Sequence, residues 1–526
     1  MLVAITMVGL LRTLSNPINH DSAWYLIATA RWLDGAELYR DIIEINPPLA
    51  FFLTAPPAAL AKSLDLLPAT AFVLYVFLLI ALSLLLIWRI LCHLSRSDGL
   101  TRQSLLAAAL CALTLLPGGD FGQREHLMVI FALPYVALLA ARVRGGQPSP
   151  SLSLFIGFWA ALGFGLKPHF LLVPAALEIY QFLRTRNCCL VLRPETITLA
   201  GSLIAYIVIV VIATPDYVTT IIPYGRSVYF AFETDPSDIL RNAQFSILLP
   251  LLLACAYAGE RRKMQDRTLP DTFFLTSLCF LAIYHVQAKG WAYHLYPSLA
   301  MMFLAGIACF QSVTEAADES WPQTKAQWCL QRYVLVCVVP LLLLIDAQLI
   351  RGRYTNAFLE TFTPIVREHA SGSSFYVFSA YVSATYPLAL YEDVRAVSRY
   401  PALWLLPGLA RQQAGESAGL KAQKHLHEEI TRFAIDTVID DLQRDPPSLI
   451  IVDARRRKGY FGGLDFDYVD FFSRDERFAV FWRSYDLLCI VKGHKIYVRR
   501  QEAISSDANT GPGRMGCSTG RRASQP

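Results

Sequence analysis

Apolar runs broken by short polar loops fill the first 350 of the 526 residues. A helix needs roughly 17–25 mostly apolar residues to cross the hydrocarbon layer. Runs approaching that length fall near 70–91, 103–117, 126–141, 151–166, 168–183, 196–213, 243–259, 271–288, 293–312 and 329–350, after a first apolar segment, MLVAITMVGLL. That segment resembles a signal-peptide core, but no small-residue cleavage site follows before Asn16, so it reads as a retained first helix. One more apolar run, 47–64, carries the proline pairs Pro47-Pro48 and Pro56-Pro57 and exits at Lys62.

Charge placement decides what that run is. Loops with Arg89/Arg96/Arg102, Arg142/Arg144, Arg184/Arg186/Arg193 and Arg261/Arg262/Lys263/Arg267 alternate with loops poor in Lys and Arg, which makes the basic set cytoplasmic. The helix at 70–91 then begins outside, and the prolines predict that 47–64 lies along the outer interface. The expected architecture is a polytopic α-helical membrane protein of about 11 spans. Residues 16–69 form one external juxtamembrane loop within a membrane domain over 1–350, and the N-terminus is inside. The polar motifs of the membrane half then fall on the external face, while the cytoplasmic loops carry plain basic charge.

Within that loop, His20 to Leu49 is too polar to span. Trp24, Tyr25, Ile27, Ala28, Trp32 and Leu33 recur at helical spacing and predict an amphipathic helix in the interface plane. Beyond Arg351 the pattern changes to short buried strands at 375–380, 394–398 and 449–454, with a polar helix near 419–444. The segment from Phe478 to Arg500 reads as strands joined by turns, one at Lys492-Gly493-His494. This predicts a soluble α/β domain over 351–500, external after eleven spans, and a disordered tail over 501–526. Only 17% of residues are charged, against about 25% for a soluble protein. The net charge of +5 gives no case for nucleic acid, and the 11 cysteines form neither a CxxC pair nor a disulfide framework.

Ionisable groups at a membrane boundary mark candidate sites. Asp21 could take a proton from an acceptor hydroxyl, ligate a divalent cation, or simply cap the helix that follows. Gln123, Arg124, Glu125 and His126 cluster at a helix mouth, more polar groups than capping needs. Arg124 offers a fork for phosphate oxygens, and Glu125 and His126 could bind metal or relay protons. Lys167 and His169 flank a proline between two apolar helices; Lys289, Trp291, Tyr293 and His294 sit between two others. Arg124, Lys167 and Lys289 would form an external positive cluster for a phosphate or diphosphate. Trp291 and Tyr293 could stack on a sugar or sit in an aromatic belt, the belt suiting Tyr293 taken alone. Arg455-Arg456-Arg457-Lys458 reads as a solvated face or a lipid-headgroup contact, and Asp465 and Asp467 lack a metal-ligand pattern.

Asp21, the aromatic pattern Trp24-Tyr25, Ala28, Leu33, Gly35 and Leu38-Tyr39, and Asn46-Pro47-Pro48-Leu49 resemble the membrane glycosyltransferases of the GT-C superfamily, near the protein-mannosyltransferase and aminoarabinose-transferase type (glycosyltransferase family 39). The resemblance covers about the first 350 residues and is strongest over 20–65. It implies transfer of a sugar from a polyprenyl-phosphate donor to a glycan, lipid or protein acceptor at the external face. In bacteria this is the outer side of the cytoplasmic (inner) membrane. The family's loop acid carries over to Asp21, but Ser22 stands where the family often has a second acid, leaving Glu44 or Glu125 to supply it. Tyr25, Gln123, Arg124, His126, Lys167, His169, Lys289, Trp291 and His294 are the expected substrate-binding set. Metal ligands are unassigned, and a divalent cation stays an open alternative. A transporter or flippase of lipid-linked sugars is the competing class; it predicts mid-helix charges or paired repeats, which the chain lacks.

Overall fold

A computed structural model describes residues 2–92, 99–186, 192–234, 256–261, 266–320, 356–415 and 424–500, plus positions 239, 264 and 354. The expected span at 329–350 and the tail after 500 lie outside the described residues, as does the expected span at 243–259 except for its last positions, 256–259. Contacts divide the chain into two units that do not follow chain order. The first is Met1–Asn19, Asn46–Ala213 and Glu233–Thr355; the second is His20–Ile45, Thr214–Phe232 and Asn356–Pro526.

The first unit is helical: α1 (Leu2–Leu14), α3 (Leu49–Leu64), α4 (Pro68–Leu91), α5 (Gly99–Thr114), α6 (Arg124–Val143), α7 (Pro150–Phe164), α8 (Leu172–Thr185), α9 (Pro194–Ala213), α11 (Thr268–Gln287) and α12 (Tyr296–Ser320). By length and composition, five segments among the described residues can cross a membrane: α4, α6, α9, α11 and Ala292–Val313. α1, α3 and α7 are shorter apolar helices. Ile204, Ile207, Val208, Val211 and Ile212 of α9 are exposed, as are Leu74, Leu78, Leu82 and Leu85 of α4. Apolar surface of this extent belongs against lipid, and the chain is an integral membrane protein.

α6 is the central element, buried along nearly its whole length and packed by α4, α7, α8 and α11. Pro134 lies inside it and cannot donate to the carbonyl of Ile130. Ser83 of α4 takes over that carbonyl at 2.8 Å, so the orphaned acceptor is satisfied inside the membrane. α7 reaches α9 through Gly157, where a Cβ would stand 2.3 Å from the Glu195 carbonyl oxygen. At the last turn of α6, Arg142 donates to both Glu195 oxygens at 2.9 and 3.0 Å and to Ser153 Oγ at 3.0 Å. Arg193 donates to Glu178 at 2.6 Å and to Glu195 at 3.4 Å, and Tyr135 donates to Glu178 at 2.8 Å. The basic loops expected here to carry plain charge are in fact neutralised in part by Glu178 and Glu195, two acids held within α8 and α9.

The second unit holds a five-stranded sheet in the order β2-β1-β3-β5-β4. β1 (Ser374–Phe378) lies between β2 (Arg395–Ala396) and β3 (Leu449–Asp453), parallel to both. β4 (Tyr485–Val491) and β5 (His494–Arg499) form a hairpin whose β5 strand pairs antiparallel with β3. Its turn is Lys492-Gly493, both at positive φ (47° and 78°), the backbone a two-residue hairpin demands. The helices are α2 (His20–Leu33), α10 (Ile222–Val228), α13 (Ala357–His369), α14 (Leu388–Tyr391), α15 (Leu405–Gln413), α16 (Lys424–Arg444), α17 (Tyr468–Ser473) and α18 (Glu476–Trp482).

Three features differ from the sequence reading. The run Phe478–Trp482 is helix, not strand: Asp475 caps it by accepting from the Arg477 N–H at 2.9 Å, which outweighs the β-preference of its aromatics. Cys489 of β4 is disulfide-bonded. α2 buries Ser22 to Leu26, Ala28 and Thr29, a wider face than the amphipathic pattern predicts. Arg31 donates to the carbonyls of Asp41 and Ser398 at 3.0 and 3.1 Å, and the Ile43 N–H donates to the Arg399 carbonyl at 2.8 Å. Arg399 in turn is held by Asp441 through Nε at 2.7 Å.

Candidate active site

The approach to α6 is shaped by Gly122, at φ +81°, where a Cβ would stand 2.4 Å from the Phe72 ring. Gln123 is the extended residue at the cap position, and Arg124, Glu125 and His126 form the first helical turn, all three buried. His126 is fully engaged by backbone. Its Nδ1 accepts from the Gly122 N–H at 2.9 Å, so Nε2 carries the proton and donates to the Leu113 carbonyl at 2.8 Å. The geometry therefore makes His126 a staple between the turn and α5.

Glu125 is the hub of a network drawn from four elements. Lys167, the extended residue between α7 and a 3-10 turn at Pro168–Leu171, donates to Glu125 Oε1. It also donates to Gln287 Oε1 at 3.2 Å, at the end of α11, and meets His294 Nε2 at 3.1 Å. His294 Nε2 also lies 3.3 Å from Glu125 Oε1. Glu125, Lys167 and His294 are 1%, 7% and 3% exposed. Burial of two opposite charges is tolerable only with such close pairing. Glu125 Oε2, His294 Nδ1, both amide atoms of Gln123 and His169 Nε2 are buried without a hydrogen-bond partner among the described residues.

Lys289 stands in the loop before the 3-10 turn Ala292–His294, between Ala288 and Gly290, both at positive φ. Thr234 fastens this loop, donating from N to the Ala288 carbonyl and from Oγ1 to the Lys289 carbonyl, each at 2.7 Å. Burial lowers the Lys289 ammonium to about 8, with Glu233, 3.9 Å away, pulling upward and Lys167 adding to the fall. The Trp291 ring stacks on Tyr293 at 5.7 Å and tilts against His294 at 5.3 Å.

The structure thus brings Glu125, Lys167 and His294 together. The expected positive cluster is altered in kind, because Lys167 is charge-paired with Glu125. Gln287 and Glu233 were missed from the sequence. Gln287 reads only as the end of an apolar run, though a polar residue directly before Ala288-Lys289 was the available signal.

Asp21, Tyr25 and Glu44 belong to the second unit. Asp21 lies one residue inside α2 and is not its cap; its carboxylate is 17% exposed and lies 3.6 Å from His20 Nε2. An acid in the first helical turn is favoured by the macrodipole. Tyr25 follows one turn later and is buried. Glu44 is buried and accepts from the Trp24 indole N–H at 2.8 Å. Among the described residues no three His, Cys, Asp or Glu side chains converge as metal ligands.

These features define an α-helical integral membrane protein that also carries a small mixed β-sheet. The chain is similar to ArnT from Cupriavidus metallidurans, solved in the apo state and bound to undecaprenyl phosphate. Each comparison has a TM-score of 0.50 at 12% identity over 94% of this chain, covering 96% of the apo and 97% of the bound ArnT chain. At that identity the likeness is one of fold. No family model and no curated protein matches the sequence.

Proposed function

We propose that the protein is a glycosyltransferase that moves one sugar from a polyprenyl-phosphate donor to an acceptor hydroxyl at the outer face of the bacterial cytoplasmic membrane, with the N-terminus inside. The observation that carries this reading is the buried Glu125–Lys167–His294–Gln287 network, with its unpartnered polar atoms, in a fold shared with a protein solved with undecaprenyl phosphate. An anchor helix bundle has no use for such a centre, since burying charge is costly. The acceptor oxygen attacks the anomeric carbon, the bond from that carbon to the phosphate oxygen breaks, and polyprenyl phosphate leaves. The acceptor's proton passes to a carboxylate base, and Arg124 and Lys289 meet the negative charge developing on phosphate.

Purified protein should bind undecaprenyl phosphate and transfer sugar from its glycosylated form. Asp21→Asn removes basicity at constant size, and because Asp21 is not the helix cap, stability should hold while transfer falls roughly 10²–10⁴-fold. Near-normal transfer by a folded Asp21→Asn protein would remove it from catalysis. The orientation is read by cysteine labelling of intact cells in a cysteine-depleted background. Glu37→Cys and Arg456→Cys should react, and Gln147→Cys should stay protected.

A further inference from the structure

Lys167 carries three N–H donors and no acceptor, and it meets three acceptors: Glu125 Oε1, Gln287 Oε1 and His294 Nε2. His294 Nε2 also lies 3.3 Å from Glu125 Oε1, but the ammonium is nearer at 3.1 Å and can only donate, so Nε2 presents its lone pair to Lys167. The His294 proton then sits on Nδ1, an N–H donor that is buried and has no partner among the described residues. Glu125 Oε2 is likewise buried with no partner there, and it is an acceptor. One network therefore offers a ligand a donor and an acceptor, both desolvated, with the lysine charge already spent on the carboxylate.

A phosphate is the wrong guest for this pair, since its oxygens only accept and its charge is repelled by Glu125. A hydroxyl fits, because it donates and accepts through one atom. Building on the transferase reading, we propose that Glu125 and His294 recognise a hydroxyl of the sugar being transferred, His294 Nδ1–H donating to it and Glu125 Oε2 accepting from it. Lys167 and Gln287 are positioning residues that fix the tautomer of His294. The phosphate is left to other cations. Burial makes the discrimination strong: a sugar lacking that hydroxyl leaves both atoms unpaired in a dry site.

Two isosteres separate the roles. His294→Asn keeps a donor at the Nδ1 position and gives up the Lys167 contact; His294→Gln keeps a group at the Nε2 position and gives up the Nδ1 donor. Each detergent-purified full-length variant is assayed for binding of bare undecaprenyl phosphate and for transfer from radiolabelled polyprenyl-phosphate sugars of host membranes. Bare-lipid affinity should stay within about threefold of the parent for both. Transfer should fall roughly 10- to 100-fold in His294→Gln and markedly less in His294→Asn. Glu125→Gln, which also loosens the Lys167 pair, should behave like His294→Gln where it folds. Transfer by His294→Gln equal to or above that of His294→Asn overturns the proposal, as does loss of bare-lipid binding in both. A parent protein that binds no undecaprenyl phosphate refutes the transferase reading itself, a different result from either.

Discussion

α6 carries a buried ionic cluster at each end, and the two differ in how completely they are satisfied. Glu125 and Arg142 are 17 residues apart, roughly 26 Å along the helix. At the Arg142 end both carboxylates use both oxygens: Glu195 takes Arg142 on each, and Glu178 takes Tyr135 and Thr196 on one and Arg193 on the other. At the Glu125 end one carboxylate oxygen, two imidazole nitrogens and a whole amide have no partner among the described residues. Similar charges in similar burial thus serve two ends. A closed network locks α6 to α7, α8 and α9, whereas an open one keeps polar valences for a guest.

The largest effect should come from breaking the closed network. Glu195→Gln leaves Arg142 and Arg193 short of a counter-charge and should cost about 3–5 kcal/mol, read as thermal unfolding in detergent. Sugar transfer per folded molecule should be unchanged. A stable Glu195→Gln protein with impaired transfer would reverse the two roles.

Next comes Arg124→Ala, at the open end. Loss of a charge-assisted bond to phosphate should weaken undecaprenyl-phosphate binding by about 1.5–3 kcal/mol with little change in unfolding temperature. Unchanged lipid affinity would move phosphate recognition elsewhere.

The third effect is a pH limb. Lys289 is lowered to about 8, so its cationic form is complete below that pH and lost above it. Donor affinity should therefore decline as pH rises past 8. Lys289→Arg, which stays charged, should carry full affinity to higher pH. Identical profiles for parent and variant would separate Lys289 from the donor. The smallest effect belongs to Ser153→Ala, which removes one hydroxyl from Arg142 and should cost roughly 0.5–1.5 kcal/mol with transfer untouched.

Much of the open end was legible in the chain. Lys167-Pro168-His169 breaks an apolar hairpin that proline alone could have turned, and His294 sits between two apolar runs with no packing reason to be polar. Which charges cancel was not legible. Lys167 and Glu125 are 42 positions apart, and no local pattern says that their charges meet. The closed network was hidden for the same reason: Glu178 and Glu195 sit in or beside apolar runs, and attention to basic loops passed over them. In the second unit the strand pattern foretold β1 and β3, whose residues are buried on both faces. It mistook the aromatics of α18 for a strand because period alone does not register a cap three residues earlier.

The placement of His20–Ile45 within the second unit sets a timetable for synthesis. Ile43 bonds to Arg399, so an N-terminal segment must await a stretch made about 356 residues later. At 5–20 residues per second that interval is roughly 20–70 s. Throughout it the face of α2 bearing Trp24 has no Tyr386 ring to lie against at 5.2 Å. A nascent or truncated chain lacking its last third thus displays an aromatic helix to quality-control proteases. Damage to Tyr386 or Arg399 then also loosens the segment that carries Asp21.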